Sequence, residues 1–405
     1  MGLMGLIGLM GLVGCSEDSE DDGLRECHDI ELLNYVPWFV EVEPMGTRGP
    51  IGQMGPMRTM RQMGTRAVDP SWRPSGYVDY SEMDDLFSNQ MTNINRNIGV
   101  YFAKAGTEAP KQSHFRHSSN QWRSSEEIDA GSYYLYGYIP SGGDVLSSAL
   151  ITPIGEGYQD GATLTLSGLN TVTPNDVCVI VGAKEGSKSG DDVTVTDMAV
   201  GQFVTQIKSG DDGNYLFLLF DHLYSSIRFR FKVDATYNEL RTIKLKKLEM
   251  KGYKKEGSTT TSVNSKVNAV IELTPNTTGD SPITSITITA VEGSSDDLLN
   301  ALPIYNCGTG TPVELSTDYS DFLGCFATNL CNVFDLTSTY DVYDKSNNLV
   351  RSNCTATNKI DITSLIDAGG MQRGTMYTVN LTVKPTYLLV LSEPDLDNPS
   401  LVGSE

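Results

Sequence analysis

Four of the seven cysteines lie close together in the last third of the chain, and they are the residues whose spacing most directly suggests chemistry. Outside the cytoplasm, such clustering indicates one or two disulfides, and four cysteines allow three pairings between which the sequence does not choose. Free thiols are one alternative. A zinc site is the other, although no CxxC pair and no nearby histidine supports it. The four are Cys307, Cys325, Cys331 and Cys354, whereas Cys27 and Cys178 are isolated.

The four histidines do not belong to a recognisable catalytic motif. His114 and His117 lie in a polar stretch that we predict to be an exposed loop, and His28 precedes the first predicted strand. His222 stands beside Asp221, but neighbours on a strand face opposite ways, so a structural role at a strand turn is favoured over a general base. No GxSxG, HExxH or Walker sequence is present. We therefore predict no enzyme activity, no catalytic residue, no metal site and no cofactor.

Cys15 follows an uncharged apolar stretch, residues 1–14, at the start of the chain. The stretch is too short to span a bilayer, which takes about 20 apolar residues, but it suits the core of a secretory signal. An apolar core that ends in small residues before a cysteine resembles a bacterial lipoprotein signal, which implies cleavage before Cys15 and acylation of that residue. An ordinary cysteine after a buried segment is the alternative. No Lys or Arg precedes the core, and a start upstream of Met1 would account for that.

The chain is strongly acidic, with a formal net charge of −21 over 405 residues. An acidic surface repels phosphate, so nucleic acid is excluded as a partner, and contact with an anionic membrane would rest on acyl chains. At about 150 residues per domain, the length allows two domains after the leader.

Residues 16–66 read as a tether, a first strand and a linker. Residues 16–22 are acidic, and within residues 30–43 the side chains of Trp38, Val40 and Val42 alternate with polar ones, as in a half-buried strand. Residues 44–66 are rich in Gly, Met, Pro and Arg, which indicates an exposed linker that a trypsin-like protease can cut. An uncut linker is the alternative. The arginines are Arg48, Arg58, Arg61 and Arg66.

From residue 98 onward, short alternating segments separated by turn residues predict a β-sandwich with few helices. Residues 251–264 are rich in Lys, Gly, Ser and Thr and are predicted to join two domains, and residues 79–91 and 234–241 are predicted to be short helices. The predicted strands are 98–103, 133–139, 162–166, 177–183, 198–207, 214–220, 226–233 and 242–250, and then 267–273, 283–291, 332–335, 339–343, 347–351 and 376–391.

Several motifs together resemble the fimbrillin superfamily of Bacteroidetes, the subunits of type V pili and their Mfa-like relatives. The acidic run after Cys15 also resembles the surface-export tag of Bacteroidetes lipoproteins, and Ser16 is compatible with sorting to the outer membrane. The cysteine cluster departs from the family pattern and suggests a specialised tip or accessory subunit. The matching segments are Thr65-Arg66-Ala67, Ile98–Tyr101, Tyr133–Pro140, Phe220–Phe229 and Lys384–Ser392.

The resemblance implies an all-β fold of two tandem transthyretin-like β-sandwich domains and a mechanism of assembly. A lipoprotein precursor reaches the cell surface, an Arg-specific protease removes the N-terminal segment, and a C-terminal strand of another subunit fills the groove. Arg66 is the first choice for the cut, with Arg48, Arg58 and Arg61 as alternatives. The donor strand is expected within 376–391, with Tyr377, Val379, Leu381, Val383, Tyr387 and Leu389 as its inserted side chains.

These expectations divide the chain into a signal peptide (1–14), a candidate propeptide (15–66), an N-terminal sandwich (67–252) and a C-terminal sandwich (253–405). The expected function is a structural, tip or accessory subunit of a pilus on the outer membrane, acting in adhesion. The expected partners are other pilus subunits, the membrane through the lipid, and a surface glycan or protein. The alternative is a pilus anchor or glycan-binding lipoprotein that does not polymerise, with Tyr133, Tyr134, Tyr136 and Tyr138 as an exposed aromatic platform.

Overall fold

The computed structural model describes residues 30–45, 76–80, 97–118, 121–124, 126–142, 145–189, 192–209, 213–292, 302–363 and 370–383. The predicted signal peptide, Cys15, the acidic run, the arginine linker with its candidate cleavage sites and the tail with Tyr387 and Leu389 lie outside these residues. Among the helices of the described part, none has the length and apolarity to cross a bilayer.

The regular secondary structure of the described residues is almost entirely β-strand, which confirms the predicted all-β fold. Helix α1 (Ala235–Leu240), predicted at 234–241, begins at Asp234, whose carboxylate accepts a hydrogen bond from the backbone N–H of Tyr237. The strands are β1 (Ile30–Pro37), β2 (Val40–Met45), β3 (Tyr77–Asp79), β4 (Ile98–Ala103), β5 (Lys111–Ser118), β6 (Gln121–Ser124), β7 (Gly131–Ile139), β8 (Ser148–Ile154), β9 (Gly157–Asn170), β10 (Val172–Thr173), β11 (Cys178–Ser189), β12 (Asp192–Thr194), β13 (Val204–Ile207), β14 (Asn214–His222), β15 (Ser225–Val233), β16 (Arg241–Glu256), β17 (Thr259–Ser262), β18 (Lys266–Leu273), β19 (Ile283–Ala290), β20 (Leu302–Asn306), β21 (Val313–Glu314), β22 (Ser320–Ala327), β23 (Val333–Asp344), β24 (Leu349–Asp361) and β25 (Thr375–Val383).

In the described part of the chain these strands form four sheets. Sheet I has the order β3-β1-β14-β11-β7-β4-β5-β6, with β12 beside β11 and β13 beside β7, and sheet II has the order β10-β22-β15-β25-β2. Sheet III has the order β17-β16-β23-β24, with β20 and β21 also paired to β16, and sheet IV has the order β19-β18-β9-β8. Buried side chains of sheets I and IV, with Phe326 and Met376 of sheet II, form the first hydrophobic core, and most buried side chains of sheets II and III form the second.

Alternating side chains explain why these segments form half-buried strands. On β15, Ile227, Phe229 and Phe231 are buried in the second core, and the intervening Arg228 and Arg230 lie on the other face of the sheet. The period of two matches the pleat of a strand, so one face is apolar and the other polar. The same pattern predicted this strand from the sequence.

The chain passes between the two cores more than once. Strands β2 and β10 already belong to sheet II. After β14 the chain passes to the second core again at β15, continues there through β16 and β17, and then returns to the first core with the hairpin of β18 and β19. Residues 251–264, predicted as a joint between domains, instead form the end of β16 and strand β17. The predicted boundary after residue 252 therefore does not coincide with the division between the cores.

The hairpin of β18 and β19 predicts a specific stability effect. Ile271 on β18 is fully buried in the first core, so Ile271→Ala is expected to cost about 2–5 kcal/mol of unfolding free energy. Tryptophan fluorescence during urea unfolding is the appropriate measurement, because Trp38 and Trp122 pack against that core.

Leu150→Ala is the matched control, since Leu150 on the neighbouring β8 is 60% exposed and its truncation is expected to change stability by less than about 0.5 kcal/mol. If Ile271→Ala left the fluorescence transition at the wild-type urea concentration, the assignment of the hairpin to the first core would be wrong.

Candidate functional site

Residues 30–45, which we call the N-terminal segment, complete both cores. Strand β1 lies in sheet I between β3 and β14 and runs parallel to β14, with Ile30 opposite Asn214 and Tyr35 opposite Leu219. Strand β2 forms the described edge of sheet II and runs parallel to β25. The sequence predicted one strand at 30–43, whereas the structure contains two strands in two different sheets.

The break between the two strands is a crossover at Trp38 and Phe39. Proline has no N–H to donate, so Pro37 ends β1 without losing a ladder bond. The N–H of Trp38 then donates to the Gly76 carbonyl over 3.1 Å, and Phe39, 1% exposed, stacks on the imidazole of His222 with ring centroids 3.9 Å apart. The crossover therefore places an aromatic side chain in the first core, beside Phe326 of β22 in sheet II.

His222 holds this crossover through both ring nitrogens. Nε2 lies 2.8 Å from the carbonyl oxygen of Pro37, and Nδ1 lies 2.8 Å from Oδ2 of Asp176. A carbonyl and a carboxylate both accept hydrogen bonds, so both contacts are satisfied together when His222 is doubly protonated and charged. Burial by itself lowers the pKa of His222, but the charge and hydrogen bond of Asp176, the charge of Asp221 and the Pro37 carbonyl raise it overall.

Asp176, Cys178 and His222 bring three potential metal ligands within 4.8 Å of one another, but their geometry does not suit a catalytic triad. The Sγ of Cys178 lies 3.5 Å from Nδ1, the same nitrogen that Asp176 contacts, whereas a triad places its nucleophile and its acid on opposite nitrogens. Burial raises the pKa of the Cys178 thiol, and the thiolate is the form that binds metals or attacks substrates. The group fits a role in holding the N-terminal segment.

A second polar contact joins the N-terminal segment to the outer face of sheet II. The guanidinium of Arg228 on β15 donates through Nη2 to the Glu41 carboxylate and to Oγ1 of Thr378, 3.1 Å away. The Thr378 hydroxyl in turn donates to Glu41 over 3.2 Å. The Arg228 and Glu41 side chains are 19% and 26% exposed, so water screens this pair less than one on the open surface. The contact ties β2 to both β15 and β25.

A third contact lies next to the crossover. The N–H of Val40 donates to the Gly374 carbonyl over 2.9 Å, in the loop that precedes β25. In the same loop, Arg373 pairs with Asp221 at 2.6 Å and donates to the His222 carbonyl over 3.2 Å. The end of β14, the loop before β25 and the N-terminal segment therefore meet at one place.

Part of the predicted donor strand, residues 376–391, is strand β25, which already pairs within its own chain. Tyr377 and Val379 on β25 are buried in the second core of their own chain, and Leu381 and Val383 pack against it. Strand β25 is flanked on both sides, by β15 and β2, so its side chains already fill a place in the chain's own sheet. The assignment of these four residues to a donor strand stays a prediction, although within this chain they already occupy places in its own sheet.

The predicted cysteine cluster is dispersed over the second core. Cys325 and Cys331 are buried, and Cys307 and Cys354 are half-buried at its margin. Burial raises the pKa of the Cys331 thiol to about 12, and burial together with the charge of Cys331 raises that of Cys325. All four are free thiols in the structure, so none of the bridges is formed there, and disulfide formation in the mature protein stays a prediction.

Two further expectations about surface residues are corrected. His114 and His117 lie on strand β5 rather than in a loop, although His114 is exposed as predicted. Nδ1 of His114 is 3.3 Å from Oγ of Ser141, and partial burial lowers the pKa of His114. The expected aromatic platform does not exist as an exposed surface, because Tyr133, Tyr136 and Tyr138 are buried in the first core and only Tyr134 is half-buried. Strand β7 lies inside sheet I, where apolar side chains are covered on both faces.

Sequence reasoning missed the residues that hold the segment. Asp176 and Arg373 stand in predicted loops, and nothing in their neighbourhood signals that they meet Asp221 and His222. Arg228 was recognised as an outward-facing residue of an alternating strand, but its partner Glu41 is remote in sequence. The sequence does show an outward-facing Arg and an outward-facing Glu, each on a half-buried strand. It does not show that these two strands lie close enough for the side chains to pair.

No family model and no curated protein sequence matches the chain. Among solved structures, a fimbrial protein from Bacteroides vulgatus aligns at 17% identity over 74% of this chain and 91% of its own length, with a TM-score of 0.30. A candidate cell adhesion protein from Bacteroides ovatus aligns at 13% identity over 88% and 93% of the two chains, with a TM-score of 0.32. A further candidate cell adhesion protein, from Bacteroides uniformis, aligns at 12% identity over 74% and 90%, with a TM-score of 0.31.

The contacts of His222 predict that stability depends on pH. Its pKa is higher in the folded chain than the ordinary value of 6.5, so the charged imidazole stabilises the fold below pH 6.5, and this contribution is lost as the pH rises through the raised pKa. The urea midpoint of the Trp38-containing core is therefore expected to fall as the pH rises above about 6.5 and through the raised pKa of His222. Cys178 and Tyr77 nearby have pKa values raised by burial, so both stay neutral at pH 6.5.

The variant His222→Gln is expected to be less stable at low pH and to lose most of this pH dependence. His117→Gln is the control, because His117 lies on β5 away from the crossover and its removal leaves the dependence in place. Parallel pH profiles for the wild type and His222→Gln would contradict the assignment.

Proposed function

We propose that this chain is a structural, tip or accessory subunit of a cell-surface pilus that acts in adhesion. In this proposal it is exported as a lipoprotein acylated at Cys15 and reaches the outer membrane surface. Cleavage in the arginine linker, with Arg66 as the first choice, then releases the N-terminal segment, and a strand of another subunit takes its place. The sequence resemblance to the fimbrillin superfamily supports the proposal, and so does the position of the N-terminal segment in the fold.

The observation that carries the proposal is that the N-terminal segment is one continuous piece that completes both cores. It is joined to the rest of the chain through the arginine-rich linker, because β2 ends at Met45 and the next described strand, β3, begins at Tyr77. A single cut in the linker would free β1 and β2 together. Few other segments of a β-sandwich can leave as one piece without taking a connecting strand with them.

Loss of the segment would expose two unpaired strand edges. Strand β14 would lose its parallel neighbour on the side of β3, and β25 would become an edge of sheet II. A row of unpaired N–H and C=O groups is a template for another strand. Each restored backbone hydrogen bond is worth about 0.5–1.5 kcal/mol net, and each buried Val, Leu, Ile or Phe about 1.5–3 kcal/mol, so a strand that refills the groove gains a long-lived contact without any covalent step.

The tail after Val383 is the remaining candidate for the donor. It contains the apolar run Tyr387–Leu391, in which Tyr387 and Leu389 have the spacing of side chains on one face of a strand. Because β25 ends at Val383, the tail continues directly from a strand that the chain keeps in its own sheet. A donor attached in this way would be anchored in one subunit and inserted in the next.

The proposal predicts a defined N-terminus for the mature protein. Sequencing of the surface-extracted protein should begin at Ala67, and the protein should run as SDS-resistant multimers before heating. Replacing the linker arginines Arg48, Arg58, Arg61 and Arg66 by Ala should leave a protein that begins at Cys15 and runs as a monomer, because the N-terminal segment stays in its groove.

Arg351→Ala is the matched control, since Arg351 is exposed on β24 in the second sandwich and lies outside the linker. Its processing and multimers should match the wild type. A wild-type protein that starts at Cys15 and is monomeric would overturn polymerisation and favour the alternative of a pilus anchor or glycan-binding lipoprotein that keeps its lipid.

A further inference from the structure

Arg228 is held by the N-terminal segment through only part of its guanidinium group. Its Nη2 donates to Glu41 and Thr378, whereas its Nε has no hydrogen-bond partner among the described residues although it is inaccessible to solvent. Arginine presents Nε and Nη2 as a planar fork that matches the two oxygens of a carboxylate. Glu41 therefore accepts a hydrogen bond only from Nη2, whereas Nε and Nη2 together could hold a carboxylate with two hydrogen bonds.

The neighbouring cations on β15 do not share this dependence on the segment. Arg230 pairs with Asp321 on β22 at 2.6 Å, and both Arg230 and Lys232 lie over the ring of Tyr319, at 5.1 and 4.8 Å from its centroid. All of these partners belong to sheet II or the turn before β22, so they would remain after loss of residues 30–45. Of Arg228, Arg230 and Lys232, only Arg228 would lose the partner described here, the Glu41 carboxylate.

The same stretch of the segment carries a second chemical feature. Phe39, two residues before Glu41, occupies a slot between the imidazole of His222 and the ring of Phe326, with centroid distances of 3.9 and 5.9 Å. The slot is buried and flat, and a cation stacked on an aromatic face is favourable. The groove therefore has an aromatic position and a carboxylate position at a fixed spacing along β25.

We propose that the vacated groove is selective, and that the strand that replaces residues 30–45 carries an aromatic side chain two residues before a carboxylate that pairs with Arg228. This inference rests on the proposed function, because it names the partner of the groove that cleavage would open. The occupant is an extended segment of another subunit that runs parallel to β25. A strand without the carboxylate would leave Arg228 half-buried and unpaired, and an unpaired buried charge is strongly unfavourable.

The chain's own tail does not have this pattern. The one aromatic residue after Val383 is Tyr387, and the residue two positions later is Leu389. The selective groove therefore favours a strand from a different subunit over the tail of a second copy of this chain. Such a preference suits a tip or accessory subunit, which occurs once in an assembly rather than in a repeating stalk.

The test uses the full chain with a site-specific protease sequence placed in the linker. After the cut, fluorescent peptides of sequence 30–45 compete with the retained fragment, and their Kd values are measured by anisotropy. The wild-type peptide should bind about tenfold more tightly than Glu41→Gln, since a hydrogen-bonded charge pair contributes about one power of ten in affinity. A peptide of residues 384–405 should bind at least tenfold more weakly than the wild-type peptide.

The cut Arg228→Gln chain should bind the wild-type and Glu41→Gln peptides equally, whereas the matched control Arg230→Gln should keep the tenfold difference. Equal binding to the unmutated chain, or a difference that survives in Arg228→Gln, would overturn the proposal. If no peptide exchanges, the proposed strand replacement fails, and the pairing of Glu41 with Arg228 is then tested in the uncut chain. The urea midpoints of Glu41→Gln, Arg228→Gln and the double variant are compared. Additive shifts would overturn the pairing, whereas a shift in the double variant smaller than the sum of the two single shifts would support it.

Discussion

The fold depends on one constraint: residues 30–45 must satisfy two sheets at once. Strand β1 supplies the missing neighbour of β14, strand β2 supplies that of β25, and only two residues connect them. His222 stands at this connection and can donate to Asp176 on one side and to the Pro37 carbonyl on the other. Neither sandwich can therefore be considered independent of the segment, although each has its own hydrophobic core.

The same pairing is the most non-local in the chain. Residues 30–35 pair with 214–219, and residues 40–45 pair with 375–379 near the other end of the described chain. Such contacts close the longest loops and carry the highest entropic cost, so we expect them to form after the local hairpins of both cores. A segment that docks last onto two preformed edges would also be the segment whose removal disturbs the remaining hairpins least. On this expectation, late docking and removability have the same topological origin.

The sequence predicted individual strands well because alternation is a local property. Residues 226–233, whose buried and half-buried side chains alternate, match β15 closely. Residues 98–103 match β4, which is buried at all six positions, and the short helix predicted at 234–241 is present as α1. Neighbour relations could not be predicted in the same way, since an alternating pattern states which face is buried but not against what. This is why the sequence pattern could not show that the β18–β19 hairpin packs in the first core, or that β25 pairs with β15 and β2 of its own chain.

The partners of buried polar groups could not be predicted from the sequence either, because they too depend on which strands are neighbours. These groups also bear on how the proposed groove can be selective in a chain of net charge −21. Two such acidic subunits repel each other, but at physiological salt this repulsion is screened beyond about 8 Å. What decides the contact is therefore the local field within the groove, where Arg228 and the charged form of His222 face the incoming backbone. The two cations lie on consecutive strands in different sheets, His222 at the end of β14 in sheet I and Arg228 on β15 in sheet II. Only Leu223 and Tyr224 separate these strands, so the short connection between the sheets also sets the spacing of the two cations to which the proposed acidic strand would bind.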